Sequence, residues 1–378
     1  MKGLIHFAGL ASLVFLFNTC DRRPPIQPSG KTIKVGVIGP ISGSDLAKGN
    51  EGLKGIRTAQ QLQPYLECGD AIELVVEDDQ DKPAMTLEAV RKLTEDDGVL
   101  AIIVLSSSGS LLEVAPVADS YQTPILAAVA THPDTNKGTR FVSQLCFDTV
   151  FQGAVAALFV RDELLIDRVA VFSNPESTYS SNLSAEFAEK FKSLGGEITD
   201  FVSLPEEADD PANVLVDVRK KNPELLYLPI DARNVIRIAK SAKTLDWKPT
   251  MMGSDGLLAT VMVQYHDEVG LLEGMLATDL ASSKMPLTPF GERAAAIYEG
   301  MGTTYAVLGT EAYALVANAM NRCHDPRNRA CINSMIRSTR DFTGVMGKIT
   351  VESNGKALRP LVVNAIENGR MNFIVKVY

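Results

Sequence analysis

Short apolar runs alternate with amphipathic stretches along almost the whole chain after Lys31. The runs IKVGVIG (33–39), IELVVED (72–78) and VLAIIVL (99–105) are brief and rich in β-branched residues, which predicts buried parallel strands. Between the first two, Leu53, Ile56, Ala59 and Leu62 recur at helical spacing, with Pro64 near the end. Pro83 stands where a helix starts, followed by Met85, Leu87, Val90 and Leu93. A helix from about Ser110 and the run PILAAVA (124–130) complete a βαβαβαβ unit, the grammar of a doubly wound parallel sheet.

The same grammar then repeats without repeating residues. The pattern predicts helices over 150–166, 185–194, from Pro211 to near Asn222-Pro223, and 235–245; Gly195-Gly196 stops the second of these. Strands are expected at 168–173, 198–204, 225–230, 250–253 and 274–280. The end of the chain differs. Stretches 290–298, 310–321 and 332–340 look helical, and GKITVESNGK, LVVNAIENGR and MNFIVKVY look like antiparallel strands. Asn354-Gly355 and Asn368-Gly369 are hairpin signals, because both central residues of such turns favour φ > 0. The expected fold class is α/β, with two such units in series and a C-terminal part that crosses back to complete both.

Before Lys31 the chain reads differently. Residues 1–20, MKGLIHFAGLASLVFLFNTC, have a basic start, an apolar centre and a polar end, as a secretory signal does. The apolar run is shorter than the roughly 20 residues of a spanning helix. Cys20, directly after it, resembles the lipidated cysteine of bacterial lipoproteins, with plain leader removal as the alternative. DRRPPIQPSG (21–30) reads as a tether, since its three prolines and lack of periodicity build no core.

Composition narrows the function. With 46% hydrophobic and 22% charged residues the 378-residue chain is that of a globular protein, long enough for two domains. A net charge of −9 without any basic cluster argues against nucleic acid as a partner. Export permits disulfides, and Cys323 and Cys331, flanking HDPRNRA, are the favoured pair; Cys68 and Cys146 are left open between pairing and buried thiols. A metal at Cys323, His324 and Cys331 lacks a fourth nearby ligand. The histidines His6, His132, His266 and His324 are scattered, and neither a G-x-S-x-G elbow nor a G-x-x-x-x-G-K-[ST] loop occurs, so no enzyme is expected.

Several segments in order carry a family resemblance. KVGVIGPISGSDLAKGNEGLKGIRTA resembles the first strand, loop and helix of leucine/isoleucine/valine-type ABC-transporter binding proteins. ELVVEDDQDKPAMTLEAVRKL is similar to their second strand and helix, and IIVLSSSGS with TPILAAVAT to the strand exits that hold the ligand's head group. LCFDTVFQGAVAA resembles the first crossing, and MMGSDGLLA the ligand loop of the second lobe. The resemblance implies two doubly wound α/β lobes joined by three hinge crossings, the periplasmic binding protein-like I arrangement. Lobe one would be 31–149 plus 279–363, and lobe two 150–278 plus 364–378. It further implies a monomer without cofactor that captures a small solute for an ABC permease, touching the membrane only through a lipid on Cys20. A ligand sensor, or a scaffold lipoprotein without a ligand, would use the same fold.

Ligands of open parallel sheets sit at the carboxyl ends of strands, which selects loops 39–48, 106–110, 129–131, 173–179, 229–234 and 253–257. A buried zwitterion needs partners for both charges. By the resemblance, Ser108, Thr131 and the Val129 N–H would take its carboxylate, Asp255 its ammonium, and Tyr179 would close over it. Lys48 and Asp231 depart from the family by making the pocket more polar, which brings amides and polar amino acids within range; the two could also pair across a closed cleft. Each position has a plainer reading. Ser106–Ser110 and Asp255 could cap helices, and Thr131 could serve a turn. The acidic run EDDQD (77–81) lacks calcium-loop spacing and is expected to be a solvated loop. GVIGPISG (36–43) does not match a dinucleotide loop.

Overall fold

The computed structural model describes residues 26–207, 210–282, 284–298, 300 and 302–377. The leader, Cys20 and the first half of the tether (21–25) therefore lie outside the described residues. Among those described, no helix is long and apolar enough to cross a membrane.

The first sheet has five parallel strands: β1 (Thr32–Gly39), β2 (Ala71–Asp78), β3 (Ile102–Val104), β4 (Ile125–Ala127) and β5 (Val142–Gln144), in the order β2-β1-β3-β4-β5. Its crossovers are α1 (Leu46–Leu62), α2 (Pro83–Glu95), α3 (Ser108–Val114) and the single turn α4 (Ala118–Tyr121). The chain reverses its direction of growth between β1 and β3, which opens a crevice at their carboxyl ends.

After β5 the chain crosses into a second sheet through α5 (Thr149–Leu158). This sheet contains β6 (Arg168–Ser173), β7 (Glu197–Ser203), β8 (Leu225–Tyr227), β9 (Thr250–Gly253) and β10 (Leu276–Asp279), interleaved with α6 (Thr178–Ser193), α7 (Ala212–Lys220), α8 (Ala232–Thr244) and α9 (Leu257–Gln264). The parallel part runs β7-β6-β8-β9-β10, which repeats the winding of the first sheet. The repeat of pattern in the sequence is thus a repeat of topology.

The chain then returns to the first lobe with α10 (Pro289–Tyr298), α11 (Thr304–Asn321) and α12 (Arg329–Arg337), followed by a small antiparallel sheet of β11 (Phe342–Thr343), β12 (Lys348–Val351) and β13 (Ala357–Leu358). A last crossing leads to the hairpin β14 (Leu361–Glu367) and β15 (Arg370–Val377), which extends the second sheet antiparallel to β10. β14 pairs with β10 from Val362 onward, so the chain has entered the second sheet before residue 364. At the β14–β15 turn both Asn368 and Gly369 have φ > 0, whereas at the β12–β13 turn only Gly355 does.

Helix α11 is the spine of the first lobe, buried along almost its whole length. It starts at Thr304, six residues before the helix expected from periodicity, because Thr303 caps it by accepting from the Ala306 N–H. It crosses α1 at glycines. A Cβ on Gly55 would lie 2.0 Å from the Ala306 carbonyl oxygen, and one on Gly309 2.0 Å from that of Gly52. An alanine at either position would collide with fixed backbone and push the helices apart, the costly kind of overpacking. This tight crossing sets where Lys48 and Tyr305, near the starts of α1 and α11, stand.

Cys323 and Cys331 are joined by a disulfide, with Cα atoms 6.0 Å apart. The loop that it closes docks on the first lobe through Arg327, 2.6 Å from Asp70, and through Arg329, which donates to the Val99 and Thr94 carbonyls. Cys146 is a buried free thiol and Cys68 an exposed one.

Candidate functional site

The carboxyl edges of the two sheets face each other, and the loops there bring most of the expected residues together. The serine loop after β3 is the first element. Ser108 is buried, and its hydroxyl accepts from the backbone N–H of Thr131 at 3.2 Å and of His132 at 3.1 Å. It thereby ties the exits of β3 and β4 into one wall. Thr131 is buried with its own hydroxyl unpartnered, and its carbonyl accepts from the N–H of Thr149, the first residue of the other lobe's α5. Val129 lies just beyond β4 and packs into the core.

Asp255 and Tyr179 form the opposing wall. Asp255 does not cap α9, whose N-cap is Gly256 in the left-handed region. Its carboxylate instead accepts from the Tyr179 hydroxyl. Burial pushes the Asp255 carboxyl up, against the Tyr179 and Gln152 hydrogen bonds that favour its charge. Burial and the neighbouring Asp255 charge push the Tyr179 phenol well up, so it serves as a donor and not as an anion.

Lys48 and Asp231 do not meet. Lys48 Nζ lies 2.9 Å from Asp81 Oδ2 and 3.7 Å from Asp45 Oδ1, all within its own lobe. Asp231 caps α8, accepting from the Asn234 backbone N–H at 2.8 Å and from Asn234 Nδ2 at 2.9 Å. The pairing across the cleft is therefore corrected. A carboxylate buried near Lys48 on its own lobe outcompetes one that already satisfies a helix end.

The acidic run is corrected too. Asp78 is exposed, but the run is not solvated throughout. Asp79 is fully buried and accepts from the hydroxyls of Ser106 and Thr86. Burial pushes its carboxyl up, against those two bonds. The Asp81 side chain is 8% exposed. Its Oδ1 accepts from the Ser107 backbone N–H at 2.7 Å and from the Ser110 hydroxyl at 3.2 Å. Burial would raise the Asp81 carboxyl, but the Lys48 ammonium holds it below the usual range; the same contact, with Asp45, keeps buried Lys48 charged. A carboxylate 26 residues away in sequence thus does what a local serine cap would have done.

Three further residues were not anticipated. Tyr305, buried on α11, reaches the second lobe: a Cβ on Gly256 would lie 2.2 Å from its hydroxyl oxygen, and Thr260 Oγ1 lies 3.4 Å away. Asp279, at the carboxyl end of β10, is fully buried. Its Oδ1 accepts from the Leu280 N–H and from the hydroxyl of Thr304, 2.6 Å away. Its Oδ2 makes no hydrogen bond of normal geometry, with the Gly256 amide nearby. Burial raises this carboxyl to about 7, the Asp255 charge adding to the effect. Gln152, fully buried on α5, donates to Thr278 Oγ1 at 2.8 Å and leaves its Oε1 unpartnered. An acid that ends an apolar parallel strand was the available signal for Asp279. Tyr305 was hidden by the misplaced start of α11.

The lobes touch at the cleft mouth, where Gln264 Nε2 donates to the Ser44 carbonyl at 3.5 Å. Behind it, the hinge is held by a buried ion pair, Arg359 Nη1 to Glu311 Oε2 at 2.9 Å, with side chains 5% and 1% exposed. Arg359 lies in the third crossing and also donates to the Leu145 carbonyl of the first. Glu311 Oε1 accepts from the Val345 N–H. Among the described residues, no cluster of three or more potential metal-binding side chains occurs.

Comparison with known proteins gives this arrangement a context. A family profile described as periplasmic binding protein matches residues 32–370. The fold is similar to the leucine-binding protein LivK of Thermotoga maritima, with 29% identity, a TM-score of 0.85, and coverage of 91% of this chain and 98% of that one. It is also similar to the branched-chain amino acid substrate-binding protein LivJ of Streptococcus pneumoniae in complex with isoleucine, at 21% identity and a TM-score of 0.82, covering 92% and 99% of the two chains. An amino acid binding protein of Pseudomonas aeruginosa is 23% identical over 201 residues, which are 52% of this chain and 53% of that protein. The match thus spans about half the length of such curated relatives.

Proposed function

The chain belongs to the periplasmic binding protein family, and from that premise we propose that it is an extracytoplasmic solute-binding protein. It captures an amino acid or related small polar solute between its lobes and presents it to an ABC importer. The observation that carries this reading is the pair of opposed walls. Ser108 and Thr131 stand on one lobe, and Asp255 with Tyr179 on the other, with buried polar atoms on Thr131, Gln152 and Asp279 lacking hydrogen-bond partners. Unpartnered buried polar atoms are costly, and a polar solute between the walls supplies what they lack.

Closure performs the capture. Hinge motion about three crossings brings the second wall onto a solute held by the first. Excluding water lowers the local dielectric and strengthens each charged contact. Nothing in this cycle needs bond breaking, so the chain acts as a carrier and not as an enzyme. A lipid on Cys20 would hold it near the permease, and it would work there as a monomer.

A thermal-shift screen of the exported protein against amino acids, their amides and short peptides tests the reading. A ligand of the folded state raises the melting temperature with its concentration. A hit lost in both Asp255→Ala and Ser108→Ala supports capture in the cleft. A hit that survives both substitutions places binding elsewhere and contradicts the proposal.

A further inference from the structure

The serine loop carries an acceptor where a bound carboxylate would need donors. Two of its hydroxyls donate to buried carboxylates, Ser106 to Asp79 and Ser110 to Asp81, while Ser108 Oγ accepts from the Thr131 and His132 amides and keeps its own hydrogen to donate. The Ser107 N–H, the first free donor at the start of α3, is taken by Asp81 Oδ1 at 2.7 Å. A solute carboxylate entering this wall would displace or face a carboxylate that is already buried. Like charges in a site of low dielectric repel strongly.

The rest of the cleft has the same sign. Asp255 and Asp279 lie on the second lobe, and Glu206 there feels the charge of Asp45 on the first. Partial burial raises the Glu206 carboxyl, and Asp231 and Asp45 raise it further. The cations nearby are committed: Lys48 to Asp81 and Asp45, and Arg233 to Glu207 Oε1 and the Glu206 carbonyl. The unpartnered buried atoms agree. Gln152 Oε1 and Asp279 Oδ2 are acceptors, and the Thr131 hydroxyl can accept as well as donate. Such a set calls for a solute that brings hydrogen-bond donors.

We propose that the cleft selects a cationic solute without a free carboxylate, an organic amine or an amino-acid amide, because Asp81 takes the Ser107 N–H and the Ser110 hydroxyl and sets a buried carboxylate beside Ser108. This rests on the capture reading above and names the class of its solute. Lys48 and Asp81 act together: the lysine keeps Asp81 ionised and in place, so the pair excludes acids while Asp255 receives the ammonium. The acidic mouth draws cations in.

Isothermal titration of the full exported chain with matched sets tests this: leucine, leucinamide and 3-methylbutylamine, then arginine, argininamide and agmatine. The expected result is that an amide or amine binds at least about tenfold more tightly than its parent acid, which is about 1.4 kcal/mol. In Asp81→Asn the ratio moves toward the acid by a similar factor, and in Asp255→Asn all members weaken. The unsubstituted protein alone decides the matter if Asp81→Asn does not fold. An acid that binds as tightly as its amide or amine overturns the selectivity while leaving capture intact. No binding by any member overturns both.

Discussion

The hydroxyl of Tyr305, on the first lobe, occupies the space that a side chain on Gly256 of the second lobe would need, only 2.2 Å from where a Cβ would lie. Gly256 also has φ +74°, a conformation that side chains disfavour. The closed arrangement therefore requires glycine here for two reasons, one local and one across the cleft. Gly256→Ala is expected to leave each lobe folded but to keep the lobes apart. Small-angle X-ray scattering should show a larger radius of gyration than for the unsubstituted protein. An unchanged radius would show that Tyr305 yields easily.

The hinge pair supplies a second prediction. Arg359 and Glu311 are both almost fully buried, so removing one partner leaves the other charge without compensation. Arg359→Met should cost about 3–5 kcal/mol in urea denaturation. The double variant Arg359→Met, Glu311→Gln should recover much of that loss, because no charge is then stranded. Equal losses in the single and double variants would show that the pair matters by shape alone.

Asp279 makes stability depend on pH in the direction opposite to an ordinary salt-bridged acid. Its folded-state pKa is raised to about 7, against about 3.9 in an unfolded chain. Between these values the folded state holds a proton that the unfolded state has released. Stability therefore falls as pH rises through the window from about 4 to 7, and levels off above it. Asp255, also raised by burial, contributes with the same sign. Asp279→Asn should flatten the slope over that window and make the protein more stable than the parent at pH 8. Urea midpoints at three pH values check this; parallel slopes in the two proteins would contradict it.

The parts of the fold set by local pattern were legible in the chain. Runs such as 99–105 announce a buried parallel strand by composition alone, and the pairing at Ile102–Val104 keeps only its centre. Asn368-Gly369 announced a hairpin because its turn needs two positive φ angles, and both are present. Ser108, Thr131, Tyr179 and Asp255 were placed by family resemblance, and the fold gathers them at the facing strand ends. What escaped depends on contacts distant in sequence. Asp81 looked solvated because nothing near it in the chain shows that Ser107, Ser110 and Lys48 will surround it. Asp231 looked like a ligand residue, although its nearest chemistry is the cap of the helix that it precedes. Tyr305 could have been found from Thr303, a capping residue ahead of a long helical stretch.

A captured solute closes the two lobes on itself, and a distance across the cleft mouth reads that motion. Leu46 and Val263 are exposed, at 40% and 41%, on the helices whose neighbours Ser44 and Gln264 meet at the mouth. Spin labels at these two positions, in a Cys68→Ser background, report that distance by pulsed electron resonance. With saturating amounts of a solute that raises the melting temperature, the distribution should narrow to a single short distance. A solute that binds while leaving the distribution unchanged would contradict capture by closure.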